Sequence, residues 1–200
     1  MTDQEFADYL ALDHELQGVE FKGPGQRSDK QLFAKVVRAV LGMTNRRDGG
    51  LVIIGVDDNG GVLTQVGLNA ADLSTWKYDD VADSFAAYAD PSVSFELEIR
   101  EHDGKNYVVL QVQEFEEIPV LCKKDYPQVL RAGACYVSSR RKPETTEIPS
   151  QADMRDLLDL ATEKRLRRFV AQIRAAGLDL SEARRLTDQE LFDKQLGDFK

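Results

Sequence analysis

Residues 49–61 read Gly-Gly-Leu-Val-Ile-Ile-Gly-Val-Asp-Asp-Asn-Gly-Gly. Leu51 to Val56 is an unbroken apolar run bounded by glycines and acids, which predicts a short strand buried on both faces rather than a half-exposed, alternating one. Asp57 to Gly61 supplies turn chemistry, and Val62 to Val66 then returns as a hairpin partner. Gly49 and Gly50 precede a strand and Gly55 leads into a hairpin, so none of them opens a helix over a pyrophosphate. No G-x-x-x-x-G-K-[ST] occurs, and ATP is not expected as a ligand. Simple alternation puts Asp57 on the face of Ile53 and Asp58 on the face of Ile54, so only one of the two can point at a given site.

Upstream of this strand, residues 3 to 14 carry Phe6, Tyr9, Leu10 and Leu12 near helical spacing, and Gly18 ends that pattern. Val19 to Lys22 reads as a short strand and Gly23-Pro24-Gly25 as a turn. Ser28 and Gln31 form a capping-box pattern before Leu32, Phe33, Val36, Val37, Val40 and Leu41, a helix with one apolar face. Downstream, a helix is expected over residues 80 to 89. The alternation at Val93, Phe95, Leu97 and Ile99 and again over residues 107–112 predicts a hairpin about residues 102–105. Short strands are expected near Val120-Leu121, Val129 to Arg131 and Cys135 to Ser138. Ser150 caps a helix carrying Met154, Leu157 and Leu158, and Thr187 starts a terminal one. This order predicts an α+β fold, a mixed and mainly antiparallel sheet packed by helices, over residues 1–160, with a helical C-terminal extension over residues 161–200.

The chain has 200 residues, 42% hydrophobic and 30% charged, within the globular range. No apolar run approaches the roughly 20 residues of a membrane span. The acidic start has no secretory pattern, and two Cys and two His, scattered, offer neither a disulfide framework nor a zinc cluster. A cytoplasmic protein is expected. The net charge of −9 is unevenly spread: six acids and no Lys or Arg stand in residues 1–20. Lys123, Lys124, Arg131, Arg140, Arg141 and Lys142 face Asp125 alone within residues 123–142, and Lys164, Arg165, Arg167, Arg168 and Arg174 follow without an acid among them. Local field rather than the sum decides phosphate binding.

His14 and His102 read as surface histidines, and Cys122 and Cys135 as small core residues. Catalytic chemistry therefore falls to carboxylates. Glu15 and Glu20 flank the Gly18 break, Glu20 and Lys22 share a strand face, and Asp57 and Asp58 end the buried strand. Acids from such separate elements, if they converge, hold Mg²⁺ or Mn²⁺ through hard oxygen ligands.

Glu15-x-x-x-x-Glu20-Phe21-Lys22, then Ala39 to Asn45, then Gly49-Gly50 through Gly55-Val56-Asp57-Asp58-x-Gly60 resemble the Schlafen AlbA_2 domain family, and Arg131-Ala-Gly133 is similar to its closing R-x-G signature. The resemblance implies a metal-dependent endoribonuclease acting on tRNA or rRNA, with Glu15, Glu20 and Asp58 as the catalytic, metal-holding acids. Under it, Lys22 stabilises charge on the scissile phosphate or pairs with Glu20, and Lys123, Lys124, Arg131, Arg140, Arg141 and Lys142 grip the RNA backbone. The chain holds one lobe where vertebrate Schlafen cores hold two, which implies a homodimer; their zinc site has no counterpart here. The alternatives are a non-catalytic regulatory module binding RNA or DNA, and a partner protein in a toxin–antitoxin or defence pair.

Overall fold

A computed structural model describes residues 1–12, 18–138 and 145–177. In chain order the elements are α1 (Asp3–Leu10), β1 (Val19–Lys22), α2 (Lys30–Thr44), β2 (Gly50–Ile54), β3 (Val56–Asp58), β4 (Leu63–Gln65), α3 (Ala70–Leu73), α4 (Tyr78–Ala86), β5 (Ala89–Asp90), β6 (Phe95–His102), β7 (Lys105–Val112), β8 (Leu121–Cys122), β9 (Tyr136–Ser138), β10 (Thr145–Glu147) and α5 (Gln151–Ala175). The main sheet runs β1-β2-β7-β6, with β1 parallel to β2 and the other pairs antiparallel. The two-stranded pairs β3–β4, β5–β8 and β9–β10 are antiparallel as well. The fold is α+β. It divides into a unit of residues Met1–Leu160 and a second, Ala161–Lys200, whose described part is the remainder of α5.

The central strands are apolar on both sides because both sides are covered. Phe6 and Leu10 of α1 pack with Val19, Phe21, Ile53, Val56, Tyr107 and Val109. On the opposite face lie Val52, Ile54, Val108 and Leu110, each buried, as is nearly all of α2 from Phe33 to Thr44. Phe33 stacks on Phe85 of α4, and Phe85 meets Phe95 edge-on, closing the core beyond the end of α2.

Several boundaries differ from expectation. Asp29, not Ser28, caps α2: its Oδ1 accepts from the amides of Gln31 and Leu32 at 2.9 and 3.1 Å, two orphan donors held by one carboxylate. Val129–Arg131 is no strand but the end of a turn, with Gln128 at φ +62° and a single Tyr126–Leu130 bridge. The run 51–56 is broken at Gly55, whose φ of +117° few side chains tolerate, so β2 and β3 belong to different sheets. The terminal helix expected from Thr187 lies outside the described residues. Among the described residues no helix is long and apolar enough to cross a membrane.

Candidate functional site

β1 sends Val19 and Phe21 into the cluster against α1, so Glu20 and Lys22 must face the other way, toward α2. Glu20 is 8% exposed there. A carboxylate so placed needs donors on both oxygens, and it has them: Lys22 Nζ donates to Oε1 at 2.6 Å and Thr145 Oγ1 to Oε2 at 2.6 Å. Lys22 also donates to the Phe21 carbonyl at 3.0 Å. Thr145 reaches Glu20 because α2 offers no side chain at Gly42; a β-carbon there would stand 2.5 Å from Thr145 Oγ1.

The break at Gly55 reverses the expected faces of the two acids. Val56 packs with Ile53 and Phe21, and Leu63, the cross-strand partner of Asp58, packs on the same cluster. Asp58 therefore shares the Phe21 side, and Asp57 turns to the side of Glu20 and Lys22. A β-carbon on Gly23 would lie 3.1 Å from Asp57 Oδ1, which puts Asp57 beside the turn that follows β1, and Asp58 Oδ1 accepts from the Gly61 amide at 2.7 Å in the hairpin turn. Glu15 and His14 lie outside the described residues. Among the described residues no three His, Cys, Asp or Glu side chains stand close enough to share an ion. Both Glu20 oxygens already accept short hydrogen bonds. These residues by themselves do not fit a divalent-ion cradle.

The basic residues fare differently from one another. Arg140, Arg141 and Lys142 lie outside the described residues. Arg131 is clamped by Glu147, its Nε and Nη2 donating to the two carboxylate oxygens at 3.0 and 2.6 Å. That pairing holds the Glu147 carboxyl below its ordinary range. Lys123 and Lys124 are exposed and have no carboxylate partner among the described residues; the Lys124 ammonium sits 5.5 Å from the centre of the Tyr88 ring.

Sequence reasoning missed Thr145, Glu147, Tyr136 and Arg38. In α2, Arg38 and Gly42 are four residues apart and share a face: Gly42 meets Thr145, and the Arg38 guanidinium lies 5.7 Å from the centre of the Tyr136 ring. Tyr136 is the register partner of Glu147 across β9–β10. The signal was present in the sequence, since Lys35 and Arg38 alone interrupt the apolar and small residues of positions 32–43. Asn45, just past α2, is also structural: Nδ2 donates to the Val120 and Tyr136 carbonyls at 2.8 and 2.9 Å, and Oδ1 accepts from the Val120 amide at 2.8 Å. Cys122 is buried, and burial pushes the Cys135 thiol up to about 11, which leaves both unsuited to nucleophilic work at neutral pH.

The sequence profile described as Schlafen, AlbA_2 matches residues 15–147. Among solved structures, the DIP2311 protein of Corynebacterium diphtheriae is similar with a TM-score of 0.50 and 16% identity over 72% of this chain; the match spans only 26% of that longer chain. The N-terminal domain of a DNA helicase RecG-related protein from Nitrosomonas europaea is similar with a TM-score of 0.45 and 21% identity, over 74% of this chain and 95% of that one. A search of curated proteins found no match.

Proposed function

The chain belongs to the Schlafen AlbA_2 family, and on that premise we propose that it binds nucleic acid, structured RNA such as tRNA or rRNA ahead of DNA, through the cations around β9. The observation that carries this reading is the set of unpaired cations. In a chain of net charge −9, Lys22, Arg100, Arg131 and Arg167 each sit in an ion pair. Arg38, Lys123 and Lys124 have none among the described residues; Lys30, Lys35, Lys77 and Arg155 have none either, but Arg38 and Lys124 are the ones set against aromatic rings, those of Tyr136 and Tyr88. Cations left without acids in an acidic protein are what phosphate contacts require, and such contacts position a strand without reading its sequence.

A second reading, metal-dependent endoribonuclease activity with Mg²⁺ or Mn²⁺, is favoured by one observation. Asp57 Oδ1 stands beside Gly23, the residue that follows β1, and Glu20 and Lys22 of β1 are paired. In this reading Glu15 remains a further acid, Asp58 takes part only from the Phe21 side of β3, and Lys22 is the cation paired with Glu20. A two-fold homodimer would present two such faces to one RNA.

One experiment tests both. Purified protein is incubated with tRNA over a salt series, with and without EDTA, beside Glu20→Gln, Asp57→Asn and Asp58→Asn variants. The binding reading expects retention of tRNA that weakens steeply with salt, and it fails if no tRNA is bound at low salt. The nuclease reading expects cutting that EDTA abolishes and Glu20→Gln removes; the two Asp variants then tell which hairpin acid takes part. Binding without cutting leaves the first reading alone.

A further inference from the structure

Beside β9 lies an open groove of about 500 Å³ whose walls include Arg38, Tyr126, Arg131, Tyr136 and Glu147, a size within the range of small-ligand sites. Its formal charges balance, two arginines against Asp125 and Glu147, so net field does not decide what it takes. Unspent hydrogen-bonding capacity does. The Glu147 oxygens are held by Arg131, and Asp125 Oδ1 accepts from the Ala132 amide at 2.8 Å. The Tyr136 hydroxyl accepts from the Arg131 amide at 2.9 Å. The Arg38 guanidinium donates no hydrogen bond to any described residue, and its Nε is buried with no partner. A buried guanidinium N–H left unmade costs as much as a broken hydrogen bond, unless a ligand completes it.

We propose that this groove holds the phosphate and the adjoining base of an unpaired nucleotide, with Arg38 donating to the phosphate and the base lying against Tyr126 and Arg131 at the rim. The inference rests on the nucleic-acid reading above and deepens it by naming the single-stranded element as what the domain selects. Aromatic and guanidinium planes recognise unstacked bases, which a continuous duplex does not offer. Placement supports it. Thr145 and Glu147 of β10 are two residues apart, roughly 7 Å along a strand, and one bonds Glu20 while the other bonds Arg131. Arg38 and Gly42 are likewise about one helical turn apart on α2. The groove and the Glu20–Thr145 pair are therefore neighbours along β10, with Thr145, 1% exposed, between Glu20 and solvent.

The test measures binding of the full chain to a ten-nucleotide single-stranded RNA, to the same sequence as a duplex, and to a free nucleoside monophosphate, for wild type, Arg38→Gln, Arg38→Lys and a Lys123→Gln/Lys124→Gln double variant. Wild type is expected to prefer the single strand. Arg38→Gln should weaken the single strand about tenfold and the duplex about twofold or less. Arg38→Lys should keep the salt dependence but lose the preference, because an ammonium lacks the fork. The lysine double variant should weaken both RNAs alike. Equal loss on strand and duplex in Arg38→Gln, or single-strand binding within twofold of wild type, overturns the proposal. If wild type binds neither RNA, the nucleic-acid reading falls. The monophosphate arm then decides the groove: perturbation of the Arg38 Nε–H and Tyr136 ring resonances on titration shows that it takes free nucleotides, and unchanged resonances overturn the site as well.

Discussion

The Glu20 corner and the Arg38 groove lie at the two ends of one face of the short strand β10, at Thr145 and Glu147, and treat buried charge in opposite ways. At the corner an acid is taken out of water and given both of its partners, an ammonium and a hydroxyl, each at 2.6 Å. In the groove a guanidinium is set against a tyrosine ring and given no hydrogen-bond partner. A satisfied buried group serves the integrity of the fold; an unsatisfied one is open to completion from outside only where a groove reaches its residue, as at Arg38 and not at the core hydroxyl of Tyr107. The difference assigns structure to the first region and recognition to the second, although the first carries the more eye-catching motif.

The comparison is most sharply broken at Lys22. Lys22→Met leaves the Glu20 carboxylate with the Thr145 hydroxyl alone, and we expect a loss of about 3 kcal/mol in urea unfolding. Glu20→Leu added to Lys22→Met should recover most of it, since a paired buried charge is worth little net; failure to recover would mean the pair does more than balance itself. Next comes Gly42→Ala, whose β-carbon would stand 2.5 Å from Thr145; overpacking there should cost about 2 kcal/mol, read as a lower urea midpoint at unchanged slope. Arg38→Gln is the contrary case. It should leave stability within about 0.5 kcal/mol of wild type while reducing single-stranded RNA affinity as described above. A large stability loss in this variant would move Arg38 into the structural class.

The smallest effect is a pH dependence in the groove. Glu147 is held below its ordinary value chiefly by Arg131, with Arg38 adding to the effect. The stability this supplies is fully present above about pH 4.3, the value of a free glutamate, and is lost as pH falls through the lowered value. Arg38→Gln should raise the Glu147 titration midpoint slightly, and Arg131→Gln should raise it further, as followed by carboxyl NMR shifts.

The sheet was legible because its strands are apolar runs or strict alternations between glycines and turn residues: β1 and β4 fall within a residue of the pattern, while β6 runs three residues past Ile99 and β7 begins two before Tyr107. What sequence periodicity could not carry was the left-handed turn at Gly55. Alternation counts residues and assumes an unbroken strand, so it put Asp57 and Asp58 on each other's faces. β5, α3 and β10 span four residues or fewer, too short for any period to register. The Glu20–Lys22 contact followed from spacing alone, two residues apart on one strand. Thr145 could not follow, being 125 positions away, and only the packing of β10 on α2 brings it in. Arg38 was readable as a cation inside an apolar helix, but only the position of Tyr136 shows which way it points.

Salt-dependent binding of tRNA by the full chain and its Lys123→Gln/Lys124→Gln variant tests the central claim most directly. The account predicts a linear fall of log affinity with log salt, with a slope shallower by about 1.5 to 2 in the variant, the share of two phosphate contacts. An identical slope in the two proteins, or no affinity for tRNA at the lowest salt, contradicts it.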